Sequence, residues 1–327
     1  MKTLIISRSE VAQLLDHKIA AKAVREAYIT FNAGRAELLP IQSLDIREHN
    51  GETDFKSGYD KDNAVICTKI ASGFWDNPKN FGLPTGLALV SLIDARNGVP
   101  ISVMDGTLIT GYRTAAAGAL AASILARPDS ANVAVIGTGT QAQMQTLALA
   151  GFFNLSRVRV WGIEGIDRYI AAISEKLPGV EVVSAATAQE AVHDADIVIT
   201  ATPSTKALVM AEWVKPGTHI NAIGSDTPGK QELDPMLFKS ALVVNDSIAE
   251  CVRRGETQHS IAQGIIRRED IYAEIGEILS GQKSGRTSPE QLTIFDTTGL
   301  SILDISTALA IYHAAKEQGI GYELELI

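Results

Sequence analysis

The sequence predicts an α/β protein in two parts, an α+β domain followed by a doubly wound parallel sheet. Beyond residue 132, short apolar runs alternate with helical stretches, which is the pattern of a parallel sheet covered by helices. Before residue 105, several strand-like runs are joined by turn residues, as in antiparallel strands. With 327 residues and 46% hydrophobic content, the chain is long enough for two domains.

Composition excludes several classes of function. The formal net charge of −9 is spread along the chain, so it forms neither a basic surface for nucleic acid nor a polybasic membrane anchor. The apolar run before Ser7 is too short for a signal-peptide core or a membrane span, and we expect a cytoplasmic protein. Cys67, Cys251 and the six histidines are scattered, so we expect neither a disulfide framework nor a metal site.

The first 126 residues predict a helix, a sheet and a second helix. A short strand at Leu4–Ile6 precedes a helical region from residue 9 to Gly34. Hairpin turns are expected at Asn50-Gly51 and Asn97-Gly98. The expected strands are 44–48, 53–59, 64–71, 85–94 and 99–104. A helix of mostly small residues over 107–126 ends at the Pro128 segment.

The rest of the chain predicts the parallel sheet. Its expected strands are 133–136, 157–161, 180–184, 196–200, 219–223, 242–245 and 292–295. A last helix over 301–318 is expected to return to the first domain. We therefore predict a domain of residues 1–126 with 305–327 and a domain of residues 127–304.

The segment Asn132–Ala142 predicts nucleotide binding. An apolar strand, Val133–Ile136, stops at Gly137-Thr138-Gly139, and a helical stretch begins at Gln141. In this Rossmann-type arrangement, backbone N–H groups and the helix N-terminus attract a pyrophosphate. The alternative is an ordinary strand–helix turn.

Two cations in the first domain are candidates for chemistry. Strand alternation places Lys69 on the same face as Val65 and Cys67, where an ammonium must find a partner or lose its charge. Small neighbours leave the Arg113 guanidinium accessible to a carboxylate or phosphate. A salt-bridged lysine at a sheet edge and a surface ion pair are the alternatives.

Polar residues also follow strands of the second domain. Asp226 follows the strand at 219–223, and Thr202 follows the strand at 196–200. Ligands of open parallel sheets lie outside these carboxyl ends. Asp296-Thr297-Thr298-Gly299 stands between the last strand and the last helix. The alternatives are a turn-stabilising aspartate and a helix cap.

Five segments together resemble the ornithine cyclodeaminase and mu-crystallin family, and the similarity covers nearly all of the chain. They are Thr68-Lys69, residues 111–116 (GYRTAA), residues 137–141 (GTGTQ), residues 221–230 (NAIGSDTPGK) and residues 295–299 (FDTTG). The resemblance implies a homodimer built through the first, substrate-binding domain and a nicotinamide cofactor, NAD, held by the second. It also implies an oxidoreductase that acts on the C–N bond of a small amino or imino acid.

The resemblance implies roles for individual residues. Lys69 holds and polarises the substrate carboxylate or carbonyl, Arg47 pairs with the carboxylate, and Asp226 moves a proton. Arg113 and Thr298 also contact substrate. Together with the glycine turn and the strand ends, the expected cofactor-binding residues are Thr85, Arg113, Gly137, Gly139, Thr140, Gln141, Glu164, Thr202, Ala222, Ile223, Gly224, Ser225, Lys230 and Thr297.

One departure from the family concerns the cofactor. Glycine occupies the usual acidic position after the second strand, and Ile163 stands where members resembling mu-crystallin have an arginine. Glu164 could reach a ribose diol, which favours NADH, whereas the nearby Arg168 keeps NADP as the alternative.

The other departure concerns the substrate. Lys56 replaces the glutamate of cyclodeaminating members. If Lys56 points into the site, it favours a second carboxylate, so that iminosuccinate reduced to aspartate is our first choice. Ornithine cyclodeamination to proline with catalytic NAD, an alanine dehydrogenase or ketimine reductase, and a non-catalytic mu-crystallin-like ligand-binding protein are the alternatives.

Overall fold

A computed structural model describes residues 2–326 of the chain. It divides into two compact units, unit 1 (residues up to Arg113 and from Leu300) and unit 2 (Thr114–Gly299). The sequence predicts domain boundaries at 126/127 and 304/305. In the structure the first boundary lies earlier, between Arg113 and Thr114, within a helix. The reason is that Ala115 and Ala119 of this helix belong to the core of unit 2.

The elements up to residue 125 follow the predicted order closely. The strands are β1 (Lys2–Ile6), β2 (Ala36–Leu38), β3 (Gln42–Ile46), β4 (Gly51–Asp60), β5 (Val65–Phe74), β6 (Gly86–Asp94) and β7 (Pro100–Asp105). The helices are α1 (Arg8–Leu14), α2 (His17–Asn32), α3 (Asn77–Asn80) and α4 (Gly106–Leu125). The predicted single helical region is two helices, because Leu15 is extended and Asp16 caps α2 through the N–H of Ile19 at 2.7 Å.

Residues 126–299 supply the remaining elements of unit 2. The strands are β8 (Asn132–Ile136), β9 (Arg157–Trp161), β10 (Glu181–Ser184), β11 (Ile197–Thr200), β12 (Thr205–Val209), β13 (His219–Ala222), β14 (Gln231–Leu233), β15 (Leu242–Asn245), β16 (Ala273–Glu274) and β17 (Thr293–Asp296). The helices are α5 (Thr140–Leu149), α6 (Ile166–Lys176), α7 (Ala188–Val192), α8 (Ile248–Arg254), α9 (Thr257–Ala262) and α10 (Ile275–Leu279).

Unit 1 is a sheet packed against helices. The chain returns to it through α11 (Ser301–Gln318) and ends with β18 (Tyr322–Glu325). The strand order is β18-β1-β7-β6-β5-β4-β2, and β3 also pairs with β4. We expected an antiparallel sheet, but β1 and β7 are parallel. Helix α11 packs on β4, β5 and β6, which places its buried residues over the centre of the sheet.

Unit 2 is the predicted doubly wound domain. Its parallel sheet has the order β10-β9-β8-β11-β13-β17-β15-β16. From β8 the chain moves outward to β9 and β10, then crosses to the other side at β11. This reversal between β8 and β11 is the switch point, where such sheets bind ligands outside the carboxyl ends of their strands. A separate two-stranded sheet, β12-β14, was not predicted.

Helix α4 is apolar and long enough to cross a membrane by length and composition alone. Most of its apolar window is buried inside the protein, as is typical of a core helix.

Candidate active site

A buried ion cluster lies between the sheet of unit 1 and helix α11. The ammonium of Lys69 in β5 lies 2.9 Å from both carboxylate oxygens of Asp304 in α11. The Nε atom of Arg113 in α4 lies 3.2 Å from Asp304 Oδ1. Lys69 is 1%, Arg113 5% and Asp304 0% exposed. The expected partner of the buried Lys69 ammonium is therefore a carboxylate of the same unit.

Lys56 belongs to the same buried face. In the antiparallel pair of β4 and β5 it lies directly opposite Lys69, and opposed residues project to the same side of a sheet. It is 5% exposed. Lys56 is therefore buried on the same face as Lys69, and its predicted role toward the substrate stays a prediction.

The charges of this cluster shift the pKa values of its members. Burial, reinforced by the positive charge of Arg113, lowers the pKa of Lys69 to about 7, although Asp304 counteracts this and Lys56 adds to it. Burial by itself would raise the pKa of Asp304, but the charges of Lys69 and Arg113 outweigh it and hold that pKa below its ordinary value. Near neutral pH, Lys69 can therefore exist in both protonation states, whereas Asp304 is ionised.

Sequence reasoning did not identify Asp304. The signal was present, since Asp304 is the one charged residue in the otherwise uncharged, mostly apolar segment from Leu300 to Leu309. A carboxylate in a buried helix face requires a cation or several donors. The pattern thus indicates that Asp304 needs such a partner but does not identify which residue it is.

Arg47 lies away from this cluster. It begins a short 3-10 turn between β3 and β4, its side chain is 88% exposed, and it pairs with Asp45 at 3.3 Å. It also lines a cavity of about 690 Å³ together with Phe74, Phe81 and Leu87. The role predicted for Arg47 at the substrate carboxylate stays a prediction.

The glycine turn of unit 2 has the geometry of a phosphate-binding turn. Gly137 has φ +115°, and a Cβ there would overlap the carbonyl oxygen of Ala201. Around Gly139, which precedes α5, the space where a side chain would lie is open. The buried Oε1 of Gln141 has no hydrogen-bond partner within residues 2–326. These residues fit a dinucleotide, with the pyrophosphate at the N-terminus of α5.

The loops after the neighbouring strands contain the other predicted cofactor residues. Thr202 and Gly224 donate their N–H groups to the buried carboxylate of Glu232 at 2.6 and 2.9 Å. Ala222 ends β13 and Ile223 follows it, both buried, while Ser225 Oγ donates to the Lys230 carbonyl at 2.9 Å. These hydrogen bonds fix the loop backbone at the carboxyl edge of the sheet.

The loop after β17 is fixed by a second buried acid. Thr297 Oγ1 and the N–H groups of Thr298 and Gly299 donate to Asp246 Oδ2 at 2.6, 3.1 and 2.8 Å. Thr297 and Thr298 are both buried. Across residues 2–326, no group of three or more His, Cys, Asp or Glu side chains is placed to hold a metal ion.

Asp226 is accessible but paired. Its side chain is 43% exposed, and Oδ1 lies 2.8 Å from the ammonium of Lys230, four residues later. Arg254 holds the Asp226 carbonyl through its Nε at 2.8 Å. In unit 1, the carbonyl of Thr85 accepts the Phe74 N–H at 2.9 Å just before β6. The roles predicted for Asp226, Lys230 and Thr85 remain predictions.

The end of β9 is where discrimination between the two nicotinamide cofactors is expected. Ile163 is 93% exposed, and the carbonyl of Glu164 accepts the Thr138 hydroxyl at 2.7 Å. A guanidinium nitrogen of Arg168 lies 3.3 Å from the position that a Cβ would take at Gly165. Both an acid and a cation are therefore near this loop.

Unit 2 thus has the features of a Rossmann-type dinucleotide-binding domain, and unit 1 supplies a buried cationic cluster. The chain belongs to the ornithine cyclodeaminase/mu-crystallin family, whose model matches residues 1–319. It is 37% identical over 327 residues to the alanine dehydrogenase of Archaeoglobus fulgidus, with 99% of each chain covered. It is 34% identical over 330 residues to the iminosuccinate reductase of Paracoccus denitrificans, covering 99% of this chain and 100% of the relative.

A solved archaeal alanine dehydrogenase dimer with bound NAD has the same fold. Its TM-score is 0.93 at 36% identity, with all of both chains covered. The predicted family and fold class are confirmed by these comparisons. The predicted enzyme class and NAD cofactor are confirmed at the level of these relatives, which are dehydrogenases and reductases of amino or imino acids.

Proposed function

We propose that this protein is an NAD-dependent oxidoreductase that reduces an imino acid with two carboxylates, iminosuccinate, to the amino acid aspartate. The observation behind the choice of substrate is the position of Lys56, opposite Lys69 on one buried face. Arg113 adds a third buried cationic side chain, and Asp304 is the carboxylate that Lys69 and Arg113 both contact.

The charges of the cluster oppose a diamino acid. Two like charges about 4 Å apart repel by roughly 4 kcal/mol at an effective dielectric constant of 20. A distal ammonium next to Lys56 would experience this repulsion, whereas a distal carboxylate would be attracted by a similar amount. Lys56 therefore supports reduction of a dicarboxylate imine over ornithine cyclodeamination.

The residues of this chain would bind and orient the substrate. Lys69 and Arg113 would hold the carboxylate next to the imine, and Lys56 would hold the second carboxylate. The nicotinamide cofactor, when bound, supplies the hydride that the imino carbon receives. The nitrogen takes one proton, a step that the family resemblance assigns to Asp226, so that imine, hydride and proton together give the amine.

An alanine dehydrogenase is the second candidate, because a relative of that name is 37% identical over the whole chain. It would use the same Lys69 and Arg113 contacts, with a methyl group in place of the second carboxylate. Lys56 distinguishes the two candidates, because its ammonium would attract a second carboxylate and would gain nothing from a methyl group.

Three reactions test the proposal. Oxaloacetate with ammonia and NADH should give aspartate, pyruvate with ammonia and NADH should give alanine at a much lower kcat/KM, and ornithine with catalytic NAD should give little proline. Activity on pyruvate alone would support the alanine dehydrogenase and remove the dicarboxylate. Rapid proline formation without net NADH consumption would refute the reductase.

We also propose a homodimer built on the sheet of unit 1. The sheet face opposite Lys69 has exposed apolar side chains in adjacent strands, and such a patch is typical of a protein interface. They are Leu44, Ile70, Leu87 and Leu89. The archaeal relative that was solved with NAD is a dimer, which also supports this proposal.

A further inference from the structure

Four buried carboxylates of unit 2 bind backbone N–H groups near the carboxyl ends of its strands. They are Glu232 in β14, Asp246 after β15, Glu256 before α9 and Asp296 at the end of β17, each at most 1% exposed. Burying a carboxylate is costly unless donors surround it. Each of the four accepts at least two backbone N–H groups. They therefore determine how the loops are held.

Glu232 connects the loops after two adjacent strands next to the switch point, as Asp246 does for the loops after β15 and β17. Its Oε1 accepts the Thr202 N–H at 2.6 Å, and its Oε2 accepts the Gly224 N–H at 2.9 Å. Thr202 follows β11 and Gly224 follows β13, which pair in the parallel sheet. One side chain thus fixes the spacing between these two loops.

The packing of Gly224 shows how close the loops are. A Cβ at this position would overlap the carbonyl oxygen of Thr202 and the carboxylate of Glu232. A side chain there would therefore push the same two loops apart. Loss of the Glu232 carboxylate would disturb the same spacing by removing the hydrogen bonds that hold the loops together.

These loops lie where the fold is expected to hold the nicotinamide half of the cofactor. In a doubly wound sheet, the glycine turn holds the pyrophosphate and the residue after the next strand contacts the adenosine ribose. The adenosine half therefore lies over β8 and β9, and the nicotinamide half lies over β11 and β13. We propose that Glu232 is a positioning residue for the nicotinamide half of the dinucleotide. This proposal rests on the proposed use of NADH.

Glutamine cannot replace Glu232 in this role. The side-chain amide has one oxygen that can accept, and its NH₂ group would oppose the N–H of either Thr202 or Gly224. One loop would lose its anchor, so the nicotinamide half would lose affinity. The glycine turn at Gly137 and the end of β9 would be unchanged, so the adenosine half should keep its affinity.

The test compares the binding of NADH and of ADP-ribose, which lacks the nicotinamide, by titration calorimetry at pH 8. This pH lies above the value of about 7 to which burial raises the pKa of Glu232. In Glu232→Gln, the Kd for NADH should rise at least about 10-fold, the effect of losing a hydrogen bond to a charged group. The Kd for ADP-ribose should stay within about 2-fold.

Asp196→Asn is a matched control at the opposite end of β11. Asp196 is 5% exposed and accepts the N–H groups of Ala131 and Asn132 at 3.0 Å, so its loss also removes a buried backbone anchor. It should lower the melting temperature and leave both Kd values unchanged. If Asp196→Asn raised the Kd for NADH and left that for ADP-ribose unchanged, the assignment to Glu232 would be refuted.

Further outcomes decide the proposal. If Glu232→Gln raised the Kd values for NADH and ADP-ribose equally, or raised neither, Glu232 would have no specific role at the nicotinamide half. If Glu232→Gln does not fold, Gly224→Ala should give the same selective loss, and an unselective result would overturn the proposal. Failure of the unmodified protein to bind NADH would instead refute the proposed function and with it this role.

Discussion

Lys56 and Lys69 lie directly opposite each other in β4 and β5, and both are buried on the face that α11 covers. Opposed like charges destabilise a strand pair unless negative charge compensates them. Asp304, 2.9 Å from Lys69, supplies part of this compensation. The proposed dicarboxylate substrate would bring further negative charge to this face.

Lys56 should determine the preference for a second carboxylate. In Lys56→Met, which keeps the length of the side chain, the ratio of kcat/KM for oxaloacetate to that for pyruvate, each with ammonia and NADH, should fall at least about 10-fold. Lys61→Met is the control, because Lys61 follows the same strand but pairs with Glu37 at the surface. Its ratio should equal that of the unmodified protein, and an unchanged ratio in Lys56→Met would contradict the prediction.

Asp226 should affect turnover rather than cofactor affinity. Asp226→Asn should lower kcat by roughly 10² to 10⁴-fold, the usual contribution of a positioned proton-transfer group, while the Kd for NADH changes little. Asp234→Asn removes a nearby carboxylate that caps a 3-10 helix, so it should lower stability and spare kcat. Near-normal steady-state rates in Asp226→Asn would exclude the acid–base role.

Lys69→Ala should also impair turnover, because it removes the ammonium that orients and polarises the substrate. We expect kcat/KM for the imine to fall at least about 100-fold, as for other groups that orient a reacting substrate. NADH binding should be retained, since Lys69 belongs to unit 1 and the glycine turn belongs to unit 2. A variant with normal kcat/KM would remove Lys69 from the mechanism.

The dimer should depend on the apolar face of the unit 1 sheet. Leu89→Glu should convert a dimer to a monomer in sedimentation measurements, because it places a charge within the patch of Leu44, Ile70, Leu87 and Leu89. Ile163→Glu is a matched control at an exposed isoleucine of unit 2 and should leave the mass unchanged. A Leu89→Glu protein that stays dimeric would place the interface elsewhere.

Most of the doubly wound domain was predictable, because its strands are short apolar or alternating segments separated by turn signals. The predicted strands at 157–161 and 242–245 match β9 and β15 residue for residue. The strand β18 was missed because its residues, Tyr322–Glu325, are all exposed and give no alternation of burial. It becomes a strand only by pairing with β1, which is more than 300 residues away.

The candidate site was predictable to a smaller extent. Strand alternation correctly placed Lys69 on the buried face with Val65 and Cys67, because alternation is a local property of the strand. Its partner could not be inferred in the same way, because Asp304 is 235 residues away and reaches Lys69 only through the packing of α11 on the sheet. Contacts of this range depend on tertiary structure and leave little local trace in the sequence.

NADH should be preferred over NADPH. Ile163 provides no cation for a 2′-phosphate, while Glu164, the next residue, is the expected acceptor from a ribose diol. Ile163→Arg should raise kcat/KM with NADPH about 10-fold or more, whereas the uncharged Ile163→Gln should not. A higher kcat/KM with NADPH in the unmodified protein would show that Arg168 binds the phosphate.

Asp304 should set the pH range over which Lys69 is charged. Substrate orientation requires the ammonium form, so kcat/KM should fall as pH rises through the Lys69 pKa of about 7. Asp304 raises this pKa, because a nearby carboxylate favours the charged form. In Asp304→Asn the fall in kcat/KM should therefore occur at lower pH, by roughly one unit or more.

Two variants separate this effect from a general loss of stability. Lys56 lowers the pKa of Lys69, so Lys56→Met should move the fall in kcat/KM to higher pH, opposite to Asp304→Asn. Asp60→Asn removes another buried carboxylate of unit 1, which accepts N–H groups from Asp62 and Asn63, and it should leave the profile in place. Shifts of Asp304→Asn and Lys56→Met in the same direction would mean that the titrating group is not Lys69.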